Sequence, residues 1–190
     1  MSRVIICNII IFYTEGDCLI SKFDEVYEIM KESFPVDEFR EYKEQKKLLL
    51  RPNYFLKTTL HHDEVTAFCA YYEFDDFIYI EHLACTPLSR GLGIGTKLVQ
   101  DILSEAGNHP VILEVEPPVD KVTKRRVGFY ERLGFVLNLY PHYQPPLNLT
   151  TDMVELKIMS SFKALEEEEQ KAYRRILNQR VYGVDAEFRI

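Results

Sequence analysis

The segment Arg90-Gly91-Leu92-Gly93-Ile94-Gly95-Thr96 constrains this chain more than any other stretch. It follows an apolar, strand-like run from Phe77 to Cys85 and opens a helical pattern from about Thr96 to Ala106. Glycines at alternate positions remove the Cβ atoms that would hold a ligand off the backbone. The first N–H groups of a helix lack intrahelical partners, and the helix dipole makes that end electropositive. A strand, a glycine loop and a helix start in this order suit a phosphate or pyrophosphate, with Arg90 adding a formal charge. The spelling sets two familiar loops aside. A dinucleotide fingerprint needs glycine where Thr96 stands, and a P-loop needs Gly-Lys-Ser/Thr where this chain has Gly95-Thr96-Lys97.

A second segment lies at a telling distance. Gly128-Phe129-Tyr130-Glu131-Arg132-Leu133-Gly134-Phe135 closes a helical stretch that begins at Lys121, with Gly134 as a left-handed cap. Phe135 opens another strand, to Tyr140. Between the two motifs Val111–Glu116 reads as a strand halted by Pro117-Pro118. The R-G-x-G-x-G loop and the F-Y-x-x-x-G-F segment together resemble the acetyl-CoA loop and the closing signature of the GNAT N-acetyltransferase superfamily. The resemblance is strong over about residues 64–140 and weak in the flanks.

That resemblance implies an α/β fold. Its sheet is mixed and mostly antiparallel, flanked by helices, with a central parallel pair of strands that separates at the cofactor. The domain would span 1–160, followed by a helical extension over 161–190. The implied activity is transfer of an acetyl group from acetyl-CoA to a primary amine, small-molecule or peptide, by direct attack in a ternary complex without a metal. Backbone groups of Leu83, Ala84 and Cys85 would pair with the pantetheine arm, and Arg90, Gly91, Leu92, Gly93, Ile94, Gly95 and Thr96 would cradle the pyrophosphate. Tyr130 matches the family tyrosine that protonates the departing thiolate, a role for which a phenol near pKa 10 is suited. Glu81, a carboxylate inside the apolar strand Ile78–Leu83, is the candidate base for the amine, acting directly or through water. His82, next to it, is expected on the opposite face. Where the family often has Asn and Ala, this chain has Thr123 and Arg126, so the usual Asn contact falls to a threonine hydroxyl. The alternative from another class is a non-catalytic acyl-CoA-binding sensor or interaction module with the same fold.

The acceptor side is least legible. Glu114 and Glu116 can replace Glu81 or hold the amine's charge, and Tyr140, His142 and Tyr143 can line an aromatic wall. The chain's 190 residues suffice for a full core, and a net charge of −7 argues against a nucleic-acid partner. The apolar run Val4–Tyr13 is too short to span a bilayer and reads as a buried first strand, so no membrane partner is expected. Cys7, Cys18, Cys69 and Cys85 lack paired spacing, as in a reducing cytoplasm. Ser21–Phe34 and Val36–Leu49 read as helices, and strands follow at about Tyr54–Leu60, Val65–Glu73 and Phe77–Cys85. Pro141–Pro146 reads as a rigid loop before a last strand, Met153–Met159. In the tail, Phe162, Leu165, Ala172, Tyr173, Ile176 and Leu177 mark one helix face, for its own domain or for a homodimer contact.

Overall fold

The computed structural model describes residues 4–6, 9–11, 17–147 and 152–190, with side chains from residue 22 onward. The chain divides into two compact units, residues 1–109 and 110–190. In the first, strands β1 (Val4–Ile6), β2 (Ile9–Ile11), β3 (Tyr54–His61), β4 (Glu64–Glu73) and β5 (Ile78–Cys85) pair antiparallel, each with the next. The single strand expected over Val4–Tyr13 is thus a short hairpin, and its residues 7–8 and 12–13 lie outside the described residues. His62 and Asp63 turn β3 into β4 with positive φ (50° and 67°), the conformation of a two-residue hairpin loop.

Helix α1 (Asp17–Ser33) starts four residues before the expected beginning at Ser21, which lies inside it. Its inward face carries Phe23, Val26 and Met30, each at most 1% exposed, and it packs on β4 and β5. The second expected helix is broken. Helix α2 covers only Tyr42–Lys47, flanked by 3-10 turns at Val36–Glu38 and Leu48–Leu50. The break comes at Phe39, whose extended backbone (φ −144°) lets Arg40 enter the core, where only 9% of it stays exposed. Helix α3 (Ile94–Ala106) buries Ile94, Leu98, Val99 and Ile102 and packs on β4 and β5.

In the second unit β6 (Val111–Val115) is nearly inaccessible, as an apolar run in a sheet centre should be. β9 (Val154–Ser161) pairs antiparallel with β6, with β7 (Phe135–Leu137) and with β8 (His142–Gln144). The expected loop at Pro141–Pro146 therefore contains a strand, held by the start of β9. Helix α4 (Lys121–Glu131) is opened by an Asp120–Thr123 capping box and closed by Gly134 at φ +88°. Among the described residues every strand pairing inside either unit is antiparallel.

The tail forms helix α5 (Glu167–Leu177), continued by a wider π turn at Asn178–Tyr182. Its buried face differs from the apolar one expected. Gln170, Arg174, Leu177, Asn178 and Val181 face inward, while Ala172 and Phe162 are exposed. Asn178 Nδ2 donates to the carbonyls of Ala186 and Phe188 at 2.9 and 3.0 Å, fastening the last residues onto the helix. No helix among the described residues is long and apolar enough to cross a membrane.

Candidate active site

The central feature of the first unit is a β-bulge. Ala70 of β4 pairs with His82, yet Tyr71 pairs with Ile80, so Glu81 is an extra residue on β5. Regular strands send successive side chains to opposite faces, and a bulge breaks that alternation and re-aims a side chain. The consequence is direct: Glu81 Oε2 and His82 Nδ1 lie 3.5 Å apart, and both side chains keep only 3% of their surface exposed. The expectation that His82 points away from Glu81 fails because alternation fails at this residue.

A buried carboxylate needs a partner. Arg40 supplies it, its Nη1 donating to Glu81 Oε1 at 2.7 Å. Burial pushes the Glu81 carboxyl up, but the Arg40 charge, with His82 close by and the Arg40 hydrogen bond, outweighs it and holds it at about 2. Around this pair, the Arg40 N–H donates to Gln45 Oε1 and Gln45 Nε2 donates to the Tyr54 hydroxyl at 3.1 Å. Burial, reinforced by the Glu81 charge, pushes the Tyr54 and Tyr72 phenols up.

Further along β5, Ala84 is buried and pairs with Phe68, while Leu83 and Cys85 are half-buried. Burial raises the Cys85 thiol, against the opposing Gly95 N–H and the Arg90 charge, so it is a poor nucleophile. Arg90 Nε donates to the Cys85 carbonyl at 3.3 Å, tying the loop's entry to the strand end. Gly91 and Gly93 both sit at φ +79°, where L side chains are strained, and a Cβ built on either meets nothing within 4 Å. Protein packing therefore does not exclude a side chain there, and the space ahead of the loop is open. Gly93 is the N-cap of α3, no side chain caps the helix, and its first turn carries no acidic residue. An uncapped, electropositive helix end behind an open glycine loop fits a pyrophosphate.

In the second unit Tyr130 is 8% exposed on α4, with edge-on ring contacts to Phe129 and Phe135 at centroid distances of 4.9 and 5.7 Å. Thr123 is buried, and its hydroxyl is engaged in the cap, accepting from the Asp120 N–H at 3.1 Å. Arg126 is paired with Glu116, both partly exposed. Glu114 is not an open acceptor-binding carboxylate. Its two oxygens take the His142 Nε2 and the Tyr182 hydroxyl, and its side chain is 5% exposed. Arg174 stands near this cluster, its Nη1 donating to the Pro141 carbonyl at 3.1 Å and its Nη2 to that of Arg189. His142 is 1% exposed and so lies inside the unit, while Tyr140 and Tyr143 are half-buried.

Sequence reasoning missed Arg40, Arg174 and Tyr182. Each meets its partner across 33 to 68 residues, and nothing in its immediate neighbours marks it. Only the break in helical periodicity around Pro35 hints that Arg40 leaves a helix.

The sequence profile described as the Acetyltransferase (GNAT) family matches residues 23–135. A Bacillus subtilis (strain 168) protein named as an acetyltransferase, YjbC, is 30% identical over 148 residues, covering 76% of this chain and 73% of its own. A Bacteroides thetaiotaomicron structure described as a GNAT-family acetyltransferase superposes with a TM-score of 0.77 at 33% identity, over 87% of this chain and 94% of that one. Arabidopsis thaliana Naa50, solved with the bisubstrate analogue CoA-Ac-MVNAL, shares the fold at 16% identity, with a TM-score of 0.60 over 82% of this chain and 99% of its own.

Proposed function

Since this chain belongs to the GNAT acetyltransferase family, we propose that it moves an acetyl group from acetyl-CoA to a primary amine by direct attack in a ternary complex. Acyl transfer is the chemistry its family match and relatives support. The observation that carries the donor assignment is the pair of glycines at φ +79°, opening onto free space before an uncapped helix. Backbone N–H groups of residues 91–96, with Arg90, hold the pyrophosphate. Leu83, Ala84 and Cys85 offer backbone groups to the pantetheine arm. Bound acetyl-CoA supplies a thioester, an acyl group already activated for attack.

Tyr130 gives its hydroxyl proton to the departing sulfur, and its ring packs edge-on against Phe129 and Phe135. Glu81 contributes by charge. A carboxyl held at about 2 stays ionised at every physiological pH and is a weak proton acceptor in its own right. Thr123 acts chiefly as the helix cap that positions α4 and hence Tyr130. Arg126 supports the site as the partner of Glu116. The half-buried rings of Tyr140 and Tyr143 lie on the acceptor's side, in the stretch the family resemblance gives to the acceptor.

The test is titration calorimetry with acetyl-CoA, then release of free CoA thiol with spermidine, kanamycin, N-α-acetyl-lysine and a short peptide with a free N-terminus. Binding with amine-dependent thiol release is the expected result. Tyr130→Phe should lower turnover about 10²-fold or more while leaving the acetyl-CoA Kd within twofold. Binding without thiol release from any amine would move the chain to the sensor class, and no binding would remove the cofactor assignment.

A further inference from the structure

The bulge at Glu81 brings two proton acceptors face to face. His82 Nε2 lies 2.8 Å from the Glu38 carbonyl, and a carbonyl only accepts, so Nε2 carries the ring hydrogen. The other ring nitrogen, Nδ1, then presents a lone pair, and Glu81 Oε2 presents another 3.5 Å away. Among the described residues neither atom has any other hydrogen-bond partner, and both are buried. The Phe34 ring, edge-on at a centroid distance of 4.9 Å, holds the imidazole plane. We infer that His82 Nδ1 is the proton acceptor for the attacking amine, with Glu81 as the positioning residue that stabilises the imidazolium. This inference rests on the acetyl-transfer reading above.

The surrounding groups set the balance. Glu81 favours a proton on Nδ1, and so does the Glu38 carbonyl, which keeps the opposite nitrogen a donor. Arg40, 2.7 Å from the other Glu81 oxygen, opposes a second positive charge. The phenols of Tyr54 and Tyr72 also feel the Glu81 charge, and burial keeps them neutral. An imidazole so placed receives a proton without a charged carboxylate having to be neutralised, which Arg40 makes costly.

The step balances. The acceptor ammonium passes one proton to His82 Nδ1 through water admitted as the acceptor binds, since Nδ1 itself is buried. The neutral amine forms a C–N bond to the acetyl carbonyl carbon, and the C–S bond breaks. The sulfur takes the Tyr130 proton, a second nitrogen proton returns to the Tyr130 oxygen, and the His82 proton passes to solvent.

Two measurements decide it. Nitrogen-15 NMR of the ligand-free wild-type protein should show His82 at pH 8 as the tautomer with hydrogen on Nε2 and none on Nδ1. A hydrogen on Nδ1 overturns the inference, whatever the enzyme's substrate. The second is the pH profile of kcat/KM for the best amine of the four. His82→Gln, which keeps a donor for the Glu38 carbonyl, should lose about 10²–10⁴-fold at pH 7. It should then regain roughly tenfold per pH unit toward the amine's own range near 10. Thermal unfolding of His82→Gln and His82→Asn, followed by circular dichroism, separates misfolding from lost chemistry. A loss of the same factor at every pH in both folded variants overturns the inference and leaves acetyl transfer standing. If wild type acetylates none of the amines, the acetyl-transfer reading falls, and the tautomer still judges His82.

Discussion

Glu81 shows how one residue's environment outweighs its type. Isolated in an apolar strand it would be protonated, but beside Arg40 it is an anion held at about 2. Because its folded pKa lies below the ordinary 4.5, the pair's stabilisation is fully present above about pH 4.5 and is lost as pH falls toward 2. The difference corresponds to about 3 kcal/mol. Urea unfolding at pH 7, 5 and 3 should reveal that loss in wild type. Arg40→Met should remove about 3–5 kcal/mol at pH 7, because a lone buried carboxylate remains, and should flatten the decline below pH 4.5. An Arg40→Met protein as stable as wild type at pH 7 would show that the pair does not anchor this core.

At the scale of elements, the glycine loop and α3 act as one device. Gly93→Val meets no protein atom, so its structural cost is the strain of a β-branched residue at φ +79°, about 1–2 kcal/mol. Its effect on acetyl-CoA should be larger, a fall in affinity of about 100-fold or more, because the new side chain occupies the space before the helix N–H groups. Calorimetry beside a thermal melt separates the two, and unchanged affinity would place the pyrophosphate elsewhere. This device was legible because its information is local: alternate glycines, a strand before and a periodic helix after. The same holds for the α4 cap, where Asp120, Thr123 and Gly134 are close in sequence. The bulge at Glu81 was not legible, since nothing within Ile78–Cys85 spells a register shift that only pairing with β4 defines. Nor was β8, whose prolines suggested a loop until β9 offered it backbone partners. The tail helix misled for a related reason. Its apolar residues gave a plausible face, yet the buried one carries Gln170, Arg174 and Asn178 because polar partners from distant segments await them.

At the scale of the whole molecule, each unit encloses a buried carboxylate matched to long-range partners. Arg40 serves Glu81 in the first; His142 and Tyr182 serve Glu114 in the second. Tyr182→Phe should destabilise the second unit by about 1–3 kcal/mol, the cost of removing one hydrogen bond from a buried carboxylate. Hydrogen exchange should register the change over β6 and β9, while protection over β3 to β5 stays as it was. Equal loosening of both sets of strands would mean that the two units do not unfold separately.

The link between Glu114 and Tyr182 also has a consequence in time. The two residues are 68 positions apart, and a ribosome working at about 5–20 residues per second takes roughly 3–14 s to cover that interval. For that long the nascent chain has its β6 carboxylate and lacks the Tyr182 hydroxyl that will bond it. Arg174 Nη2 and Asn178 Nδ2 likewise await the carbonyls of Ala186, Phe188 and Arg189, which follow them in the chain. The second unit therefore cannot settle until the chain has grown through Arg189 and every partner of this cluster is present.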